Sequence, residues 1–388
     1  MIILKIRHRI SIKCVDDLCK LMQLLKVSNF PANFASMNRL LMSKSSAPLS
    51  IKSFYICPAC CSTSDSSDHC NNSQCKHSQS YCQAPFQSMT IPIISQLQDI
   101  LSRVSNLNLE HQNNKQAASS SDGIMHDIYD GEVYQRMILN EKDYFLSFTM
   151  NIDGIQISKS STNSLWIVTF AINEIKRTER FRMKNILIGG VLSANVKPSR
   201  EHIRVFLQPI VKELVQLEKG AFFETKNSNI NEMMFLKIFL ICCCADKPAQ
   251  CLVQGLSEPN GGYGCGRCEL EGRISLYFIL DGICFSSELI GITVLVHEKS
   301  GKKIRVFPLL PVDQSQPRLR TNQTYDELMK IDQKKRATIK TELRDQMRGH
   351  VGVCILRDLT YFDIGNSFLS DSLHNIYHGV MVSRSREH

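Results

Sequence analysis

The chain has 388 residues, 43% of them hydrophobic, which supplies cores for two or three domains and excludes a wholly disordered polypeptide. Lysine and arginine number 46 against 37 aspartate and glutamate, and the formal charge of +9 suits a polyanionic partner such as nucleic acid. The 16 cysteines, several paired at metal-ligand spacing with no secretory signal ahead of them, argue for a reducing compartment and for thiols that are free or zinc-bound.

Residues 1–50 read as a basic helical region. Val15, Leu18, Leu21, Met22 and Leu25 recur at helical spacing. Lys5, Arg7, His8, Arg9 and Lys13 offer a DNA-contacting face, although simple packing on a neighbouring module accounts for the same pattern. Residues 51–90 form a zinc-ribbon-like module. Cys57-Pro-Ala-Cys60 and Cys70-Asn-Asn-Ser-Gln-Cys75 are two tight thiol pairs a hairpin's length apart, the arrangement that four thiolates need to close around one Zn2+. A closed site of this kind is structural or grips a partner; Cys61 and Cys82 are left over. Residues 91–123 give a helix from Pro92 to Leu107, with Ile94, Leu97, Ile100, Leu101 and Val104 on one face, and then a polar linker over 110–123.

Residues 124–260 are read as the core. The run Tyr144 to Ile152 alternates like a strand and stops at the turn signal Asp153-Gly154. Two more strands, 164–172 and 185–192, follow it. A helical stretch from Ser199 to Lys219 comes next, with Pro209 expected to break it in two. An apolar strand over 236–245 then ends in Asp246. Three meandering strands, a helix and a fourth strand returning beside the first is the ribonuclease-H-like arrangement, and a right-handed crossover sets the fourth strand parallel to the first. Asp153 and Asp246 would then meet at one sheet edge and share two divalent metal ions. Each has a plainer reading, Asp153 as a turn residue and Asp246 as the N-cap of a helix from Pro248 to Leu256.

Residues 261–388 hold a second thiol pair, Cys265-Gly-Arg-Cys268, and the string Asp371-Ser-Leu-His374-Asn-Ile-Tyr-His378, whose two histidines lie four apart. Two thiolates and two imidazoles would make a second zinc site tying an insertion to the core; a surface turn and an ordinary helix start capped by Asp371 is the competing account. The apolar block 274–296 contains Asp281 and Glu288, which argues against a membrane span. From 311 to 348 the chain reads as a charged helix whose Lys334, Lys335, Arg336, Lys340, Arg344 and Arg348 either face solvent or line DNA phosphates.

Together these motifs resemble the CACTA (En/Spm-like) DDE transposases. The likeness is carried by the ribbon Cys57 to Cys75, Asp130-Gly-Glu-Val-Tyr134, Phe145 to Gly154, Ser164-Leu-Trp166, Cys244-Ala-Asp246-Lys-Pro-Ala249, Tyr263-Gly-Cys-Gly-Arg-Cys268, Leu319-Arg-Thr321, Tyr361-Phe-Asp-Ile-Gly365 and Asp371-Ser-Leu-His374. The resemblance implies a nuclear enzyme that cuts and rejoins transposon ends in double-stranded DNA, as a homo-oligomer, through Mg2+ or Mn2+ held by three acids. Asp153 and Asp246 fall on the first two acid positions, and Cys265, Cys268, Asp371 and His374 fall on the family's CxxC and DxxH motifs. Related recombinases pair such a CxxC with two histidines around zinc.

The third acid of such enzymes is a Glu downstream of the DxxH string, and only Glu387 follows it here. The expectation is therefore an incomplete or inactive transposase, the alternative being a non-catalytic zinc-dependent DNA- or protein-binding derivative. The block 273–296 has no counterpart in the family pattern and reads as translated intron or a gene-model error.

Overall fold

The computed structural model describes residues 12–24, 32–33, 35–36, 51–104, 107–109, 112, 127–156, 163–227, 230–258, 261–280, 283–286, 303–306, 316–330 and 347–370. The chain divides into two units, Met1–Ser50 and Ile51–His388. The first contains helix α1 (Ile12–Leu24). In the second, strands β1 (Lys52–Ile56), β2 (Thr63–Ser64) and β3 (Phe86–Thr90) precede helices α2 (Ile93–Leu101) and α3 (Glu132–Asn140). Then come β4 (Phe145–Gln156), β5 (Ser164–Ile172), the single turn α4 (Arg177–Arg180), β6 (Ile186–Ala194), α5 (Arg200–Leu217), β7 (Ala221–Asn227), β8 (Ile230–Ala245) and α6 (Lys247–Gln254). Strands β9 (Arg273–Leu280), β10 (Ile283–Ser286) and β11 (Lys303–Val306), helix α7 (Asn322–Met329) and β12 (Phe368–Ser370) complete it.

The architecture is mixed α/β around an open, nine-stranded mixed sheet of order β12-β8-β4-β5-β6-β3-β1-β2, with β7 paired to β8. Alternation in β4 explains its central place. Leu146, Phe148, Met150 and Ile152 are all fully buried in the main core, which α5 and α2 cover with Ile203, Phe206, Ile210, Leu97 and Ile100. The other face carries the polar series Ser147, Thr149, Asn151 and Asp153. Its N-terminal end is closed by Tyr134, Met137 and Ile138 of α3 packing on Phe145 and Phe239.

Strands β4, β5 and β6 meander antiparallel, α5 crosses over, and β8 returns parallel to β4. Strand β12 adds on the far side of β8, also parallel. Both β1 and β3 are antiparallel neighbours that extend the edge of β6.

Four local expectations change. Strand β4 does not stop at Asp153-Gly154 but runs on to Gln156, because Gly154 pairs with Trp166 and leaves room for the indole: a Cβ there would lie 2.7 Å from the ring. Helix α5 is continuous through Pro209. The proline removes one hydrogen bond to the Val205 carbonyl, but the buried stripe from Ile203 to Leu217 outweighs that loss. Helix α2 ends at Leu101 instead of Leu107; Leu107 forms a bridge with Ile175. The described part of 261–388 is less helical than expected, with β9, β10 and β11 forming a three-stranded antiparallel sheet and α7 the only α-helix among those described residues.

Candidate metal centres

The four ribbon cysteines converge. Cys57 follows the last residue of β1, and the turn after it is closed by the Cys61 amide donating to the Cys57 carbonyl at 3.0 Å. The second pair sits in a turn closed by the Cys70 amide donating to the His77 carbonyl at 2.9 Å and the Cys75 amide to the Asn72 carbonyl at 3.0 Å. The four Sγ atoms lie within 4.8 Å of one another. Cys57 and Cys75 are 3.6 Å apart and Cys60 and Cys70 3.5 Å. A tetrahedral ion with 2.3 Å bonds to sulfur separates its ligands by about 3.8 Å, so the spacing fits zinc and is far longer than a disulfide.

Local electrostatics favour thiolates in part of the cluster. The Asn72 and His77 amides donate to the Sγ atoms of Cys70 and Cys75 at 3.4 and 3.5 Å. Burial pushes the Cys60 thiol up, but hydrogen bonds from the Ser62 hydroxyl and amide and from neighbouring thiols outweigh it and bring it to about 6. Burial dominates at Cys70, raised to about 12, and a cation is what allows such a thiol to ionise at neutral pH. Cys61 and Cys82 stand outside the cluster. The module is locked to α5 through His202. Its Nδ1 accepts from the Ser199 amide at 3.1 Å, so Nε2 carries the proton and donates to the Cys57 carbonyl at 3.3 Å.

The two aspartates are set by strand register. Phe145 pairs with Lys237 and Phe148 with Leu240, an offset of 92 residues (240 minus 148). A bulge then inserts Ile241, and beyond it Met150 pairs with Cys243 and Asn151 with Cys244, an offset of 93 (244 minus 151). Asp153 and Asp246 differ by the same 93 and continue that register two residues past the last pair. Without the bulge Asp153 would align with Ala245, and the two carboxylates would be on opposite faces.

Both aspartates are half-buried. Asp153 Oδ1 accepts from the Gly154 amide at 2.7 Å, and Asp246 Oδ1 accepts from the Ala249 amide at 2.7 Å as the N-cap of α6. The helix-cap geometry is thus realised, and among the described residues the bond at each carboxylate engages Oδ1. The sequence did not single out Asn151, whose Nδ2 donates to the Cys244 carbonyl at 2.9 Å and ties the two strands one turn of the pleat below the aspartates. Its signal was the polar alternation of Ser147, Thr149, Asn151 and Asp153.

Cys265 and Cys268 lie 3.5 Å apart, both half-buried. Burial raises Cys265, yet the amides of Arg267 and Cys268 bring it below its usual value. The knuckle packs on α6, since Gln254 Nε2 donates to the Gly266 carbonyl at 2.9 Å and the Ile364 carbonyl at 2.7 Å. Buried Arg320 braces it from behind, donating to the carbonyls of Cys265, Arg348 and Tyr263 at 2.8, 2.8 and 3.1 Å. Strand β12 brings Ser370 into register with Ala245. Asp371, His374 and His378 lie outside the described residues. Among those described, no helix is long and apolar enough to cross a membrane.

The family model described as a protein of unknown function (DUF1258) matches residues 43–278, more than half of the chain, and spans all four ribbon cysteines and both aspartates. No curated protein matches the chain.

Proposed function

The chain belongs to the DUF1258 family of proteins of unknown function, and we propose that its sheet is a ribonuclease-H-like core of the CACTA-type DDE transposases, acting on double-stranded DNA in the nucleus. The observation that carries this reading is the pairing of Asn151 with Cys244 on parallel strands, a register that puts Asp153 of β4 and Asp246, the residue just past β8, two residues beyond that pair. The strand order β12-β8-β4-β5-β6, with α5 leading back to a strand parallel to β4, supports it as well. Asp153 and Asp246 would hold Mg2+ or Mn2+, which when bound would supply positive charge for activating a water or 3′ hydroxyl and for stabilising the leaving oxygen of a phosphodiester. The protein's own part is to present two half-buried oxygens from one rigid edge. Asn151 holds that edge together, and the α6 cap fixes the rotamer of Asp246. The ribbon cysteines would hold a zinc ion on one flank, and the Cys265–Cys268 knuckle packs against α6 on the other.

Trp166, the single tryptophan, pairs with Gly154 beside Asp153 and reports directly on the site. Mn2+ is paramagnetic and should quench its emission in a saturable way, and Asp153→Asn or Asp246→Asn should abolish the saturable component. Quenching that ignores both substitutions removes the metal site and with it the nuclease reading. A second reading, a zinc-dependent DNA- or protein-binding protein without catalysis, is favoured by the complete four-thiol cluster. It predicts DNA binding that survives Asp153→Asn and fails after Cys57→Ser.

A further inference from the structure

The turn from β5 to β6 reads Lys176-Arg-Thr-Glu-Arg-Phe-Arg-Met-Lys-Asn185, five basic residues with one acid. It is held firmly from beneath. Arg180 is buried, donating from Nη1 and Nη2 to the two carboxylate oxygens of Asp127 at 2.7 and 2.8 Å and from Nε to the Ile175 carbonyl at 3.1 Å. Asn185 is buried and donates to the Glu179 carbonyl at 2.9 Å, while Arg103 donates to the Lys184 carbonyl.

What lies between these anchors faces outward. Phe181 is 65% exposed and Met183 90%, and Lys176, Arg177, Arg182 and Lys184 are exposed around them. Asp127 neutralises Arg180, and Glu179 pairs with Arg182 at 2.6 Å. Four outward cations less one acid leave a net charge of +3 on a fixed turn with two apolar side chains alternating with them. Asp99 pairs with Arg103, the same arginine that donates to the Lys184 carbonyl. Folding does not require Phe181 and Met183 to be large and apolar at such exposure, and the flanking charge is complementary to a polyanion.

We propose that this turn is a contact for duplex DNA, in which the four cations sit on backbone phosphates and Phe181 and Met183 press into the minor groove against a base step. A lipid surface is the poorer match, because membrane affinity grows with buried apolar area and two side chains offer little of it. The contact extends the reading of the chain as a DNA-processing protein but is separate from the aspartates. The turn leaves the sheet where Ile172 pairs with Phe148, five residues before Asp153, which is about 17 Å along the strand.

The test is fluorescence anisotropy of the full chain with a fluorescein-labelled 20-base-pair duplex between 50 and 200 mM salt. Replacing Lys176, Arg182 and Lys184 together by Gln should weaken binding at least about tenfold at 100 mM and lower the salt slope by about one per cation removed. Phe181→Ala with Met183→Ala should weaken it several-fold and leave the slope unchanged. All these side chains are exposed, so both variants should keep the wild-type melting temperature and the Mn2+ response at Trp166. Wild-type affinity and slope in the charge variant would overturn the turn's role while leaving DNA binding elsewhere intact. Absence of duplex binding by the wild-type chain would overturn both. Binding to phosphatidylserine vesicles with the same dependence, in place of DNA, would reassign the turn to a lipid surface.

Discussion

Asn151 and Cys244 are directly paired across the parallel strands β4 and β8, and the Asn151 side chain donates to the Cys244 carbonyl at 2.9 Å. Two residues further along the chain in each case stand Asp153, still in β4, and Asp246, just past the end of β8. Their alignment depends on the extra residue Ile241, which converts an offset of 92 into 93 and turns both carboxylates to one face.

Asp246 serves as a helix cap, and cap and charge are separable. Asp246→Ala should cost about 1 kcal/mol in urea unfolding, whereas Asp246→Asn, which keeps a capping oxygen, should cost a few tenths. Both should lose the Mn2+ response. Equal stability losses would mean that the Ala249 amide bond contributes little.

Gly154 is fixed by the indole beside it. Gly154→Val should displace Trp166, shift its emission and destabilise the sheet by about 1–3 kcal/mol, since even a Cβ meets the ring at 2.7 Å. An unchanged spectrum would show that the ring accommodates the side chain.

Zinc content gives an independent check. The purified chain should lose one equivalent of zinc on Cys57→Ser, with a lower melting temperature, and chelation should reproduce that loss. Retention of the full zinc content by Cys57→Ser would exclude the four-thiol assignment.

Glu174 provides a pH test. It is fully buried beneath β4, accepting from the Ser147 amide and hydroxyl at 2.8 Å each. Burial outweighs those bonds and raises its carboxyl to about 7, against about 4.3 in an unfolded chain. The folded protein therefore holds this proton where the unfolded chain has released it. The resulting stability is fully present below about pH 4.3 and is lost as pH rises through about 7, an effect of about 3 kcal/mol. Glu174→Gln should lose less stability than the wild type between pH 5 and 8, and parallel stability profiles would refute the shift.

Much of the sheet was legible because its period is two. The alternation of β4 and the apolar run ending at Asp246 gave both strands, and thiol spacing gave the ribbon cluster. The bulge was not legible, since Phe239-Leu-Ile-Cys-Cys-Cys244 is uniformly apolar and carries no sign of an inserted residue. Strands β1 and β3 were hidden for a different reason. Strand β1 pairs with β3, and the partner that joins β3 to the sheet, β6, lies about a hundred residues downstream; local propensity does not encode so distant a pairing. Pro209 misled because a local rule was overridden by the packing of the α5 stripe.

The attachment of β1 and β3 to β6 makes the ribbon the lid on one open side of the sheet. A polypeptide begun at residue 91 would bare the β6 backbone from Gly190 to Ser193 as an unpaired edge, inviting a second copy to dock strand to strand. A zinc ion at the four cysteines would thereby guard solubility: by keeping β1 and β3 in place, it would keep the sheet from recruiting its own kind.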